Sequence, residues 1–172
     1  MKTAHFLPLL ALLAGVQPMA RAEADNPNLL PGLFPREPFQ YRAFAQYEGG
    51  SLGTDVSFEV PGDKRLVIET VSIRLETPHD QQATSVSVRT DVNGVTAWHE
   101  IPFSKSATFT TAFRTTINLY TGASPVRLYA DPGSTVYVLT QRDVSTCPSD
   151  CGASSVFLSG YLVSAFSPSL AP

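Results

Sequence analysis

Residues 90–100 read TDVNGVTAWHE, and the Asn93-Gly94 dipeptide within them decides the fold because it lies between two runs rich in β-branched residues. Asn-Gly readily adopts the two positive φ angles of a type I′ turn, the strongest short-range signal of a β-hairpin. A two-residue turn also fixes the register, so Arg89 faces Trp98 across the two strands. The stretch therefore predicts an antiparallel strand pair centred on this turn.

The predicted register divides the hairpin side chains between two faces. His99 falls among valines on the apolar face, which predicts a core or half-buried histidine with one hydrogen-bond partner. Trp98 falls on the polar face, opposite Arg89 and near Glu100. Two interpretations are open: the indole packs beneath the Arg89 guanidinium, or it offers a ring platform to a sugar or another flat apolar ligand. The candidate ligand-binding residues are Trp98, Arg89 and Glu100.

Alternation with a period of two residues continues along the chain. The clearest case is ATFTTAFRTTINL, residues 107–119, which predicts one long half-buried strand. Shorter alternating runs occupy residues 41–48, 54–60, 84–92, 95–103, 126–130, 135–142 and 155–163, separated by turn residues such as Pro61-Gly62-Asp63, Thr121-Gly122 and Asp131-Pro132-Gly133. The pattern predicts an all-β chain of about eight to nine strands, folded as an antiparallel β-sandwich with a jelly-roll-like arrangement.

The run RLVIETVSIRLE, residues 65–76, breaks the simple alternation. Its apolar residues have one parity up to Ile68 and the other from Val71 onward. A β-bulge near Glu69-Thr70 would bring both sets to the core, because one extra residue shifts the side chains that follow it. The alternative is a strand that is buried on both faces at its start.

The N-terminal residues predict an exported protein. Residues 1–22 combine a positive start, a short apolar run at residues 6–16 and an Ala20-Arg21-Ala22 cleavage motif, which together are typical of a secretory signal peptide. The apolar run is too short to span a bilayer, which needs about 20 residues. Cleavage after Ala24 is an alternative. We therefore expect a periplasmic or extracellular protein.

Composition then divides the rest of the chain. Residues 23–42 contain four prolines, which block helix formation and predict an extended Pro-rich leader. Residues 43–166 hold the predicted sandwich domain, and residues 167–172 form a C-terminal tail. No apolar stretch after the signal peptide is long enough to span a membrane, so we expect no integral membrane segment after cleavage.

The charge balance argues against a nucleic-acid partner. The whole chain has a net charge of −3, and loss of Lys2 and Arg21 with the signal peptide would leave ten basic against fifteen acidic side chains. An acidic chain without a basic cluster lacks the electrostatic footprint of a nucleic-acid binder.

The two cysteines are Cys147 and Cys151, within CPSDC. In an exported chain, an even number of closely spaced cysteines predicts a disulfide, here one that fixes a local loop. The three-residue spacing differs from the Cys-x-x-Cys of thioredoxin-like redox sites. A zinc site would need further ligands, and the chain has no other cysteine.

The histidines and carboxylates of the sequence form no recognisable catalytic or metal-binding motif. His79 lies next to Asp80 in a predicted turn, where such a pair is typical of solvated polar sequence. The run from Asp91 to Gly94 resembles the start of a calcium loop, but Thr96 and Ala97 do not fit the continuation. We therefore expect no catalytic residues, no metal and no cofactor.

Three segments carry a resemblance to a known group of proteins: VPGDKRLVIETVSIRLETP (60–78), VRLYADPGSTVYVLTQR (126–142) and VFLSGYLV (156–163). The domain from Thr54 to Val163 resembles small exported bacterial β-sandwich proteins of uncharacterised function. The resemblance implies the fold and a bacterial source, and it carries no catalytic residues over.

The sequence therefore favours a non-catalytic function outside the cytoplasm. The first hypothesis is a binding module for a glycan or a cell-surface ligand, using Trp98, Arg89 and Glu100. The alternative is a structural or assembly protein of the cell envelope that pairs with an envelope protein, or with copies of itself as a homo-oligomer, through a sheet edge or the Pro-rich leader.

Overall fold

The computed structural model of the chain describes residues 36–112, 114–147 and 151–165, all within one compact unit that spans Phe34–Pro172. The predicted signal peptide, most of the Pro-rich leader and the C-terminal tail lie outside these ranges. Within them the chain forms nine strands and no helix. The strands are β1 (Glu37–Gln46), β2 (Gly53–Glu59), β3 (Lys64–Pro78), β4 (Ala83–Val92), β5 (Val95–Glu100), β6 (Ser104–Thr110), β7 (Thr116–Ala130), β8 (Thr135–Arg142) and β9 (Ala153–Ser164).

The strands form two antiparallel sheets. One has the order β1-β9-β3-β7-β6 and the other has the order β2-β8-β4-β5. With β6 set aside, the pairs are nested along the chain: β1 with β9, β2 with β8, β3 with β7, and β4 with β5. This nesting is a long hairpin rolled into two sheets, which is a jelly roll with β6 added at one edge. The predicted all-β sandwich is confirmed.

The core lies between the two sheets and is almost entirely aliphatic. It includes Leu66, Ile68, Val71, Leu75, Val86, Val88, Val136, Val138, Val156 and Leu158. On the β1/β2 side, the ring of Phe58 lies 4.3 Å from that of Tyr41 and 5.4 Å from that of Phe39. These rings close that side of the sandwich.

The predicted bulge in β3 is confirmed. The register shifts between Ile68 and Thr70 against both neighbouring strands, so the apolar residues on each side of the shift reach the core. The alternative also holds in part, because Val67 on the outer face is buried. Val67 lies between Tyr129 and Tyr161, its cross-strand partners on β7 and β9.

The single long strand predicted at residues 107–119 is wrong. The segment is a hairpin, in which the Thr111 amide donates to the Thr115 carbonyl over 2.8 Å and Arg114 has a φ of 63°. Side chains alternate in both strands of a hairpin, so the period of two continues across the turn. The turn residues Thr-Ala-Phe-Arg-Thr include no glycine, proline or asparagine that would mark the reversal of the chain.

The turn predicted at Thr121-Gly122 is also wrong, because β7 runs through it to Ala130. Gly122 is needed there for a different reason. A Cβ on it would lie 2.5 Å from the carbonyl oxygen of Pro102, where the chain crosses from β5 to β6. The predicted strand at residues 107–119 is divided between β6 and β7, and its second part is joined to the predicted strand at 126–130. The total number of strands is therefore unchanged.

The first strand begins earlier than the sequence predicts. β1 starts at Glu37, so residues 37–42, which were assigned to the leader, are paired with β9. Pro38 is compatible with a strand here because β1 is an edge strand, whose outer side needs no ladder hydrogen bonds.

Candidate ligand-binding face

The β4–β5 hairpin has the predicted turn and register. Asn93 and Gly94 have φ angles of 51° and 75°, as a type I′ turn requires. The pairing runs without a shift from Val92 opposite Val95 to Ser87 opposite Glu100. His99 is half-buried on the inner face, and its Nε2 lies 3.4 Å from the Thr90 hydroxyl, which confirms the predicted single partner.

On the outer face of the four-stranded sheet, four residues form one row across all strands. Ser57, Tyr137, Arg89 and Trp98 are directly opposite one another on β2, β8, β4 and β5. Trp98, on the edge strand, has 52% of its surface exposed. An aromatic residue, an arginine and a second aromatic residue therefore lie side by side on a regular sheet.

Arg89 is held in the middle of this row. Its guanidinium lies 4.9 Å from the centre of the Tyr137 ring, and its Nη2 lies 3.4 Å from an oxygen of Asp91. One of the two interpretations from the sequence has the Trp98 ring beneath Arg89, whereas the cation–π contact of Arg89 is with Tyr137. Tyr137 lies on an interior strand, where the contact is better shielded from water than at the sheet edge.

The Arg89 guanidinium keeps unused hydrogen-bonding capacity. Its Nε is buried and has no hydrogen-bond partner among the described residues, and Asp91 is its one hydrogen-bonded carboxylate there. Guanidinium has five N–H donors, of which Asp91 engages one and the buried Nε holds another, so only the remaining Nη donors can meet an acceptor that approaches the face.

Glu100 completes the predicted set. It is exposed, points to the same face as Trp98, and lies two residues further along β5, a separation of about 7 Å. It forms no salt bridge within the described residues. The structure thus brings Trp98, Arg89 and Glu100 together on one face and adds Tyr137, whose proximity could not be known without the strand order.

The other outward tyrosines do not join this group. Tyr129 and Tyr161 also point outward, but they lie on β7 and β9 of the five-stranded sheet. They are cross-strand neighbours of Val67 on the opposite face of the sandwich.

Asp131 anchors the turn end of the candidate face. Its carboxylate accepts a hydrogen bond from the Asn93 amide and forms an ion pair with Arg65 over 2.9 Å. Its own amide donates to the Asp91 carbonyl over 3.0 Å. Asp131 therefore connects the hairpin turn of one sheet with β3 of the other, and its Asp-Pro-Gly context in the sequence indicated only a turn.

Arg142 organises the opposite end of the sandwich. It is buried, and its guanidinium donates to the carbonyls of Glu48, Ser51 and Cys151 and to the side-chain oxygen of Gln81, over 2.7 to 3.2 Å. These bonds fix three loops at once, so the cluster is structural. Cys147 and Cys151 are paired beside it, with Cα atoms 5.1 Å apart, in agreement with the predicted disulfide.

Burial also affects one ionisable group at this end. The Tyr47 ring lies 4.8 Å from the Arg142 guanidinium. Burial raises the pKa of the Tyr47 phenol above its ordinary value, and the nearby Arg142 charge opposes this shift without cancelling it.

The described ranges contain neither a cluster of metal ligands nor a membrane-spanning helix. No group of three or more His, Cys, Asp or Glu side chains there is arranged to hold a metal ion. None of the secondary structure in those ranges is a helix long and apolar enough to cross a membrane. His79 lies in an exposed turn, as predicted.

The chain matches no protein-family model and no curated protein sequence. The resemblance to small exported bacterial β-sandwich proteins therefore stays a prediction.

Proposed function

We propose that this protein is an exported, non-catalytic binding module that holds a glycan or a related cell-surface ligand on the outer face of its four-stranded sheet. The observation that carries the proposal is the half-exposed Trp98 in line with Arg89 and Tyr137. A large aromatic side chain at a solvent-exposed edge indicates a surface that gains free energy when a partner covers it.

The row offers the complementary chemistry that a sugar requires. The apolar C–H face of a pyranose ring can stack on the indole of Trp98, while its hydroxyls donate to Glu100 and accept from Arg89. Arg89 is already held by Tyr137 and Asp91, so binding would immobilise little additional side-chain freedom. The jelly roll also occurs in lectin domains and viral capsids, so the fold is compatible with this function without indicating it.

Isothermal titration calorimetry with a panel of polysaccharides and surface glycans tests the proposal. We expect a saturable ligand whose affinity falls about tenfold or more in Trp98→Ala and in Arg89→Ala, a loss of about 1.4 kcal/mol or more. The matched control is Phe44→Ala, which removes an aromatic ring of 62% exposure from the other sheet and should leave the affinity unchanged. Equal losses in Phe44→Ala and Trp98→Ala would contradict the assignment.

Export is part of the proposal and has its own test. Expression of the whole chain in a bacterial host with an intact secretion pathway, followed by N-terminal mass spectrometry, should give a mature protein that begins at Glu23 or, with the alternative cleavage, at Asp25. A cytoplasmic product that retains Met1 would contradict it.

A second candidate function is envelope assembly through a sheet edge. Strand β6 favours it, because β6 is an edge strand and each of its residues is exposed. Its one charged side chain, Lys105, is limited protection against pairing with another strand. Light scattering over a range of concentrations should then show a dimer or larger species that Thr108→Pro converts to a monomer; a monomer at every concentration rules out self-pairing.

A further inference from the structure

A recess lies on the outer face of the five-stranded sheet, away from the Trp98 row. Its volume is about 490 Å³, and its outward side chains are Gln40, Arg42, Thr70, Ser72, Phe157 and Ser159. The volume falls within the range of about 300 to 1,000 Å³ that small-molecule sites occupy. The lining residues come from β1, β3 and β9, which are neighbours in the sheet, so the recess has a rigid floor.

The polar groups of the recess have no partners among the described residues. The hydroxyls of Thr70, Ser72 and Ser159 and the amide of Gln40 form none of the side-chain hydrogen bonds found there. Some other hydroxyls of the same sheet are used internally. Ser106, for example, bonds with Thr121 over 2.5 Å. The recess therefore places the available donors and acceptors of four neutral polar side chains next to one another.

Two arginines stack on aromatic rings of β9, one pair in the recess and the other beyond it. Arg42 lies 5.3 Å from the centre of the Phe157 ring, and Arg36 lies 4.5 Å from that of Tyr161. Both rings belong to β9 and are four residues apart, which is about 13 Å along a strand. A guanidinium stacked in this way keeps its in-plane N–H donors free for a carboxylate.

The charge balance of this sheet is positive, although the whole chain is acidic. Salt bridges neutralise Arg65 with Asp131 and Arg74 with Glu76. Within the described residues, three further arginines have no carboxylate partner; one precedes β1 and two lie on the sheet. Among the same residues, one exposed acidic residue of β3 has no basic partner. The arginines are Arg36, Arg42 and Arg127, and the acidic residue is Glu69.

We propose that this recess is a second ligand site, which takes an extended glycan that carries carboxylate groups. Arg42 binds a carboxylate while Phe157 contacts the sugar ring, and the hydroxyls of Thr70, Ser72 and Ser159 bond with ring hydroxyls. The Arg36–Tyr161 pair receives a second acidic unit further along β9. The site is independent of the Trp98 row, because the two lie on different sheets.

Calorimetric titration of the purified protein with oligogalacturonate tests this site, with the fully methyl-esterified oligomer as the uncharged probe. We expect saturable binding of the acid form, affinity at least tenfold lower for the ester, and weaker binding as sodium chloride is raised. Arg42→Gln should lower the affinity at least tenfold. Arg74→Gln is the matched control, since it removes an arginine of the same sheet that is already ion-paired, and it should change the affinity less than twofold.

A fluorescence titration with the same oligogalacturonate separates the two sites, because Trp98 emission reports on the other sheet. Emission that stays constant while oligogalacturonate binds supports the second site. Emission that changes in proportion to binding overturns it. Three further results overturn the second site: equal affinity for acid and ester, binding of neither, or equal losses of affinity in Arg42→Gln and Arg74→Gln. Tight binding of dextran sulfate without binding of oligogalacturonate overturns the assignment of a carboxylate ligand.

Discussion

Single residues hold the two ends of the sandwich by satisfying backbone groups. Arg142 does so at one end, where a fully buried cation bonds with loop carbonyls and has no carboxylate partner among the described residues. Asp131 does so at the other, where it accepts from a turn amide and pairs with Arg65. In both places one side chain joins segments that are far apart in the sequence.

Replacement of Arg142 should be among the most destabilising substitutions in the chain. Arg142→Met keeps the approximate length of the side chain but leaves several buried carbonyls without a donor, which should lower the free energy of unfolding by about 3 kcal/mol or more. Urea denaturation measures it. The control is Arg74→Met, an exposed residue whose loss should cost less than about 1 kcal/mol. Similar losses in both variants would contradict the role of Arg142.

Gly160 should not tolerate a methyl group. A Cβ there would collide with the carbonyl oxygen of Val67, beside the bulge of β3, so Gly160→Ala must displace backbone in the middle of the sheet. We expect a loss of about 2 to 4 kcal/mol in urea denaturation. Gly62→Ala is the control, because no atom lies within 4 Å of its added Cβ and its φ is not in the left-handed region. A neutral Gly160→Ala would show that the strands are not packed this closely.

At this scale, the sequence predicted side-chain faces but not partners. The Asn93-Gly94 turn set the register, so Trp98, Arg89 and His99 were assigned to the correct faces. Tyr137 and Asp131 were missed as members of the candidate face, because their proximity depends on which strands are neighbours. Side-chain parity contains no information on strand order.

At the scale of the element, the loop between β8 and β9 depends on its covalent link. The pairing of Cys147 with Cys151 closes a short loop whose Cys151 carbonyl accepts from Arg142 over 2.7 Å. The link reduces the freedom of the unfolded chain, and it also keeps this acceptor in place in the folded chain.

Removal of the disulfide should have a modest effect. The Cys147→Ser, Cys151→Ser double variant should lose about 2 kcal/mol, the amount that loop-closure entropy gives for so short a loop. Urea denaturation of the double variant and of the reduced native protein measures this loss. A difference of more than about 1 kcal/mol between them would mean that the serines, rather than the missing link, disturb the loop.

The errors in the predicted elements have a common physical cause. Alternation reports which side chains face the core but not where the chain reverses direction, so β6 and β7 were read as one strand. Glycine is a common turn residue, so Gly122 predicts a turn. Its small size in fact serves the close approach of the Pro102 carbonyl to β7. The bulge at Glu69 could be predicted because it changes the parity itself.

At the scale of the whole molecule, stability should decline in alkali. Burial raises the pKa of the Tyr47 phenol. The pKa of the Lys64 amine is raised as well, because this amine donates a hydrogen bond to Glu37 over 2.6 Å. A raised pKa means that the stabilisation is complete below the unfolded-state value, about 10 for tyrosine. It is lost as the pH rises from there through the folded-state value.

Melting temperatures measured between pH 7 and pH 12 test this expectation. We expect a plateau below about pH 10 followed by a fall, with a shallower fall in Tyr47→Phe, which keeps the ring over Arg142 but cannot ionise. Tyr129→Phe is the control, because that ring is 43% exposed. An identical alkaline slope in Tyr47→Phe and the native protein would contradict the assignment.

The fold class could be predicted from the sequence because period-two alternation and turn chemistry recur along the whole chain, and many local signals agree. The differences between the two outer faces could not be predicted from the sequence. The stacked arginines above β9 and the Tyr137–Arg89–Trp98 row arise from cross-strand neighbours that are distant in sequence.

The most direct measurement is the fluorescence of Trp98, the chain's only tryptophan, during titration with neutral and acidic polysaccharides. The structure predicts red-shifted emission that iodide quenches, and a ligand that shifts this emission and protects the indole in a saturable way. Arg89→Ala should weaken that ligand at least tenfold. Blue-shifted emission that iodide does not quench would contradict the placement of Trp98, and an exposed Trp98 that responds to no polysaccharide would contradict glycan binding on this face.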